Sequence, residues 1–123
     1  MNIDINILKP FEKWINTEKR LKIAFGGRGG GKSESIARIL IAKSFETNGV
    51  ILCAREIQKS ISYSTYPLLI SIIKELNLNE FFIIKRNEII NKITNSKFIF
   101  LGIRECSIEE IKSIYNVKIC FIE

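Results

Sequence analysis

Eight consecutive residues, Gly26-Gly27-Arg28-Gly29-Gly30-Gly31-Lys32-Ser33, carry the densest chemical information in this chain. They satisfy G-x-x-x-x-G-K-[ST], with Gly26, Gly31, Lys32 and Ser33 at the fixed positions. That spacing suits the cradling of a nucleoside triphosphate. Glycines, lacking Cβ, let successive backbone N–H groups turn toward a β-phosphate. A helix that follows adds its unpaired amides and the positive end of its dipole. Lys32 is a point charge on a flexible stem able to follow the β- and γ-phosphates, and the Ser33 hydroxyl can ligate Mg2+. The expected ligand is ATP with Mg2+, held by residues 26–33. The competing reading is a glycine-rich turn with an accidental lysine. At an average glycine usage of about 7%, the four fixed positions coincide by chance in well under about 1% of chains this long.

Such a loop works only between a strand and a helix. Before it, Leu21-Lys22-Ile23-Ala24-Phe25 is short, apolar and partly alternating, which reads as a strand. After it, Glu34 to Phe45 carries Ile36, Ile39, Leu40 and Lys43 at helical spacing, and Asn48-Gly49 makes a stop. Both flanks therefore fit.

With 123 residues the chain forms one domain, toward the lower end of size for a nucleotide-binding α/β sheet. Its 46% apolar and 26% charged residues describe a globular chain. The longest apolar run, Leu68 to Ile73, is far too short to span a bilayer, and the N-terminus has no signal-peptide pattern. Cys53, Cys106 and Cys120 are odd in number and widely spaced, which suits a reducing compartment, with Cys53 and Cys120 expected in strand cores. The absence of histidine removes His-based catalysis and most zinc sites. A net charge of +6 permits a polyanionic partner but is dispersed, so a solvated basic surface is at least as good a reading.

Taken in order, residues 1–20 form a leading segment: Ile3, Ile5 and Ile7 alternate, and Pro10 precedes a helical turn or two. Phe11 or Trp14 could wall an adenine pocket, but covering a sheet edge is the favoured role. Val50 to Ala54 reads as a buried parallel strand, with Arg55-Glu56 at its ligand-binding end. A Ser/Thr-rich turn around residues 60–65 leads to a helix from Tyr66 to Leu76, with Pro67 in its first turn. Glu88 to Ile93 and Lys97 to Leu101 flank the turn cluster Thr94-Asn95-Ser96 as an antiparallel hairpin, with Phe81 to Lys85 as a possible third strand. Ser107-Ile108-Glu109-Glu110 is a capping-box start for a helix through Ile114. Val117 to Glu123 is a final strand ending in a carboxylate. Glu123 either simply closes that strand or, downstream of a phosphate loop and beside the Leu21–Phe25 strand, holds the Mg2+ shell as a Walker B acid.

These segments resemble a known family. The loop Gly26 to Ser33 is similar to the GGRGSGKS loop of phage terminase large subunits, the ATPases that drive DNA into procapsids. Ile51 to Ser60 resembles the family's second-strand segment. Phe98 to Arg104, Ile108 to Ile114 and Ile119 to Glu123 resemble its FIFKGLR, IEEIKSI and ICWVEEA stretches, in the family's order. The resemblance implies an α/β, P-loop NTPase core of RecA type: a parallel sheet with helices on both faces and an inserted antiparallel hairpin. It implies a single N-terminal fragment of the ATPase domain over residues 1–123, with its core in 21–123 through the Walker B strand. Arg28 would be the loop arginine near the γ-phosphate and, with Lys32 and Glu123, a catalytic residue; Ser33 and Glu123 would hold the metal. Implied partners are double-stranded DNA, the small terminase subunit and the portal or procapsid. A homo-oligomeric ring in the full-length parent and the host-cell cytoplasm are implied as well.

Where this sequence departs from the family, the expectation changes. The second acid of WVEEA, which orients the attacking water, would follow Glu123, and the nuclease domain is absent from these residues. The expected behaviour is an incomplete ATPase domain that binds ATP weakly and turns it over little by itself. Two alternatives stand beside it: another P-loop enzyme, such as a helicase-like translocase or a kinase, and a non-catalytic terminase remnant acting as a binding module. Arg55, Lys59 and Lys85-Arg86 are candidate DNA-phosphate contacts.

Overall fold

The computed structural model describes residues 32–55, 65–102, 104 and 107–122. The first element, helix α1 (Lys32–Ser44), buries Ile36, Ala37, Leu40 and Ile41, the i, i+3, i+4 stripe of an amphipathic helix. A short turn through Asn48 and Gly49 leads to strand β1 (Val50–Arg55), whose residues 51–54 are all buried. Helix α2 (Thr65–Glu75) buries Leu69, Ile72 and Ile73, with Pro67 in its first turn as expected. It closes in a Schellman-type cap: Leu78 N–H reaches the Ile73 carbonyl at 2.9 Å and Asn77 N–H that of Lys74 at 3.1 Å. Asn77 supplies the left-handed residue that this cap needs, at φ 56°.

A single 3-10 turn (Asn79–Phe81) opens strand β2 (Phe82–Lys85), followed by β3 (Glu88–Asn91) and β4 (Lys97–Gly102). The hairpin expected from the turn cluster is present, with the third strand. β2 pairs antiparallel with β3, and β3 with β4. Helix α3 (Ile108–Ser113) begins at the anticipated cap, where the Ser107 hydroxyl accepts a hydrogen bond from Glu110 N–H at 3.1 Å. Strand β5 (Val117–Ile122) pairs parallel with β1, as β4 does on β1's other side.

Among the described residues the result is a five-stranded mixed sheet in the order β2-β3-β4-β1-β5, parallel over β4-β1-β5 and antiparallel through β2-β3-β4. Alternation along the strands sends Ile51, Cys53, Ile89, Phe98 and Phe100 to one face. There they join α1 and α2 in one apolar core, with Ile119 and Phe121 of β5 packed against it. Phe45, just past α1, meets the rings of Phe81 and Phe82 edge-on at 6.3 and 5.6 Å.

One expectation needs correcting. Cys53 is a core residue at 2% exposure, but Cys120 is exposed. It pairs with Leu52, so it stands on the sheet face opposite Ile119 and Phe121, together with Lys118 and Ile122. An apolar run alone cannot tell a strand buried on both faces from one whose second face is open.

Candidate functional site

The carboxyl ends of β1, β4 and β5 define the edge where open α/β sheets place their ligands, and they are reached at Arg55, Gly102 and Ile122. Helix α1 runs away from that edge. Its C-terminal residue Ser44 meets Thr94 and Ser96, just before the start of β4. Lys97 at that start pairs with Val50, the first residue of β1. Thirteen residues of helix span about 20 Å, the same length as a six-residue strand. With its apolar stripe on the strands and its end fixed there, α1 therefore carries Lys32 and Ser33 to the carboxyl edge. Ser33 is exposed in this first turn.

The anchored end of α1 is satisfied completely. The last four carbonyls of a helix lack intrahelical donors and must find others. Ile41 O accepts from the Ser44 hydroxyl at 2.6 Å, and Ala42 O and Lys43 O take Phe45 and Glu46 N–H at 3.1 and 3.0 Å. Ser44 O receives the Thr94 and Ser96 hydroxyls at 2.6 and 2.7 Å. Asn91, fully buried, donates from Nδ2 to Ser44 Oγ at 3.1 Å. Its Oδ1 accepts from Ile93 and Thr94 N–H at 2.9 and 3.2 Å. The β3–β4 turn thus acts as a socket for the helix end. Read as a turn cluster, Thr94-Asn95-Ser96 gave no sign of this second role.

Near the other end, an ion cluster joins α1 to α2. Arg38 donates to Glu34 Oε1 from Nε and Nη2, at 3.3 and 2.9 Å, and from Nη2 to Glu75 Oε2. The arginine side chain is only 11% exposed, against 56% for Glu34 and 59% for Glu75. Partial burial opposes its charge, but hydrogen bonds and attraction from Glu34 and Glu75 outweigh that and raise its pKa above the ordinary value. Spacing alone could have disclosed the Glu34–Arg38 pair, which sits at i, i+4. The Glu75 arm depends on tertiary packing.

Of the residues expected to bind nucleotide, Lys32 and Ser33 open α1. The strand expected at Leu21–Phe25, Gly26, Gly27, Arg28, Gly29, Gly30, Gly31 and Glu123 lie outside the described residues. So do Phe11, Trp14, Glu56, Lys59, Cys106 and residues 60–64 of the expected Ser/Thr-rich turn. The candidate DNA contacts among the described residues do not form one cluster. Arg55 ends β1 at the carboxyl edge, whereas Lys85 and Arg86 lie exposed at the β2–β3 turn, three strand spacings or roughly 14 Å across the sheet. No helix among the described residues is long and apolar enough to cross a membrane.

Comparison with known proteins adds an independent finding. A search of curated proteins returns no match. Among family models, that of the phage terminase large subunit matches residues 18–123, a span that takes in the glycine-rich loop, every described element and Glu123. The chain belongs to the phage terminase large subunit family.

Proposed function

We propose that this chain binds Mg2+-ATP on residues 26–33 and serves as the ATP-binding motor part of a terminase that packages viral DNA. The observation that carries the reading is the junction itself. The G-x-x-x-x-G-K-[ST] spacing runs into a 13-residue helix that begins at Lys32 and ends at the amino edge of the sheet. A phosphate at the start of that helix meets backbone amides and the positive dipole end. In this reading the fold is a P-loop, RecA-like core. Lys32 contacts the β- and γ-phosphates and Arg28 the γ-phosphate. Ser33 and Glu123 share the Mg2+ shell; β5, parallel to β1, leads directly to Glu123. Double-stranded DNA, the small terminase subunit and the portal are the partners proposed from family membership.

The test is Mg2+-ATP binding by residues 1–123, followed by calorimetry and by thermal shift. Wild-type protein should be stabilised by millimolar Mg2+-ATP, and Lys32→Ala should lose most of that stabilisation while keeping its unliganded melting temperature. Absence of a nucleotide effect in folded wild-type protein, or an effect indifferent to Lys32→Ala, would overturn the assignment.

A further inference from the structure

Glu34 occupies the third position of α1, where a carboxylate ordinarily folds back onto the helix's own free amides. Side chains in a helix lean toward its N-terminus, which favours that motion. At this helix such a contact would place a negative charge on the donors that a phosphate needs. The structure has Glu34 turned the other way. Its Oε1 takes Nε and Nη2 of Arg38, one turn nearer the C-terminus. Arg38 is in turn held from α2 by Glu75 and is largely covered. A surface i, i+4 pair with a free arginine would be easily broken. Here the arginine is fixed from a second element, so the carboxylate is held aside by something that cannot follow it.

We infer that Arg38 is a positioning residue for the nucleotide site: clamped by Glu75, it holds Glu34 off the first-turn amides of α1 and keeps them open to a polyphosphate. This rests on the phosphate-binding reading of residues 26–33 above. Arg38 itself touches no phosphate. Its effect passes through Glu34, and removing Glu34's charge should make Arg38 dispensable for binding.

The experiment compares wild type with Arg38→Gln, Glu34→Gln, the double variant and Glu75→Gln, all as residues 1–123. With Mg2+-ATP as the titrant, Arg38→Gln should weaken binding roughly fivefold, the effect of one misplaced charge at a helix terminus. Glu34→Gln added to Arg38→Gln should restore affinity, although it restores no contact between α1 and α2. Glu75→Gln should fall between wild type and Arg38→Gln. Unimpaired binding by Arg38→Gln, or failure of the double variant to recover, would overturn the inference. A purely structural or directly phosphate-binding arginine gives the second of these results.

A second readout needs no nucleotide. Amide hydrogen exchange at the start of α1 should be slower in Arg38→Gln than in the double variant, because the released carboxylate caps a donor there. Glu34→Gln alone should leave this exchange as in wild type. Equal exchange in Arg38→Gln and the double variant refutes the clamp whether or not ATP binds. Slowed exchange in a protein that ignores Mg2+-ATP would instead fault the nucleotide reading, and with it the purpose assigned to the clamp.

Discussion

Replacing Asn91 with alanine tests the socket that anchors α1. The side chain is fully buried and makes three hydrogen bonds: Nδ2 to Ser44 Oγ at 3.1 Å, and Oδ1 from Ile93 and Thr94 N–H at 2.9 and 3.2 Å. Each neutral bond contributes about 1 kcal/mol net. The two amides are only part-buried, so water entering the vacated space can recover some of that loss. The expected destabilisation of Asn91→Ala is about 2–3 kcal/mol, a large share of the roughly 5–15 kcal/mol stability of a typical domain. A chain of this size should melt roughly 10 °C lower. Urea unfolding followed by circular dichroism at 222 nm measures the change directly.

Asn91→Asp refines the same test. The carboxylate keeps an acceptor for the two amides but loses the donor facing Ser44 Oγ, whose own proton goes to Ile41 O at 2.6 Å. Burial disfavours the charged form, so the new carboxyl has a raised folded-state pKa. A raised folded-state pKa gives stability that is full below the unfolded value near about 3.9 and is lost as pH climbs through the folded value. Asn91→Asp should therefore lie closest to wild type in acid and fall behind it toward neutral pH. If Asn91→Ala unfolds within about 0.5 kcal/mol of wild type, the size of a neutral surface change, then the socket does not anchor the helix.

Three further outcomes follow from other contacts. Gly49→Ala should destabilise by about 1–3 kcal/mol in the same urea assay, because a Cβ there would lie 2.4 Å from Lys118 Cγ and 2.6 Å from Asn116 O. That carbonyl also accepts Val50 N–H at 2.9 Å, so adding Lys118→Ala should recover only part of the loss. In a Cys106→Ser background, a thiol reagent should modify exposed Cys120 well before buried Cys53. Partial desolvation raises the Cys120 thiol pKa, so its reaction should be slow at pH 7 and quicken as pH rises; a Cys53 rate matching Cys120 would contradict the packing. Tyr66→Phe removes a phenol that donates to Lys85 O at 2.5 Å but keeps the ring edge-on to Phe100 at 5.1 Å. Its cost should stay near 1 kcal/mol, and a larger loss would mean that the hydroxyl, not the ring, joins α2 to the hairpin.

Much of the architecture was legible because its signals are local. The helical stripe of α1, the Ser107 cap, the proline in the first turn of α2 and the hairpin are each written within a dozen residues. Strand order is not local. Nothing within Val117–Ile122 tells that it flanks β1, or that Cys120 then stands away from the core. The same limit hid the function of Asn91, Thr94 and Ser96. Asn, Thr and Ser in sequence announce a turn. Only a helix end arriving from some 50 residues earlier makes them hydrogen-bond donors to Ser44.

For the candidate site the sequence anticipated the helix that begins at Lys32, but not how that helix is held. The two ends of α1 are treated in opposite ways. At Ser44 the helix ends in a protein-made socket, with all four terminal carbonyls matched to donors. At the start, Ser33 and Glu34 are exposed, and the Glu34 carboxylate is drawn down the helix by Arg38. A helix can present its amides to an external anion only if its own side chains leave them alone and the far end is fixed against the pull of a bound charge. Sequence spacing can specify the glycines, Lys32 and Ser33, because a phosphate-binding motif is written in consecutive residues. The restraint on Glu34 and the anchor at Ser44 come from α2 and the hairpin, elements that a motif search never consults.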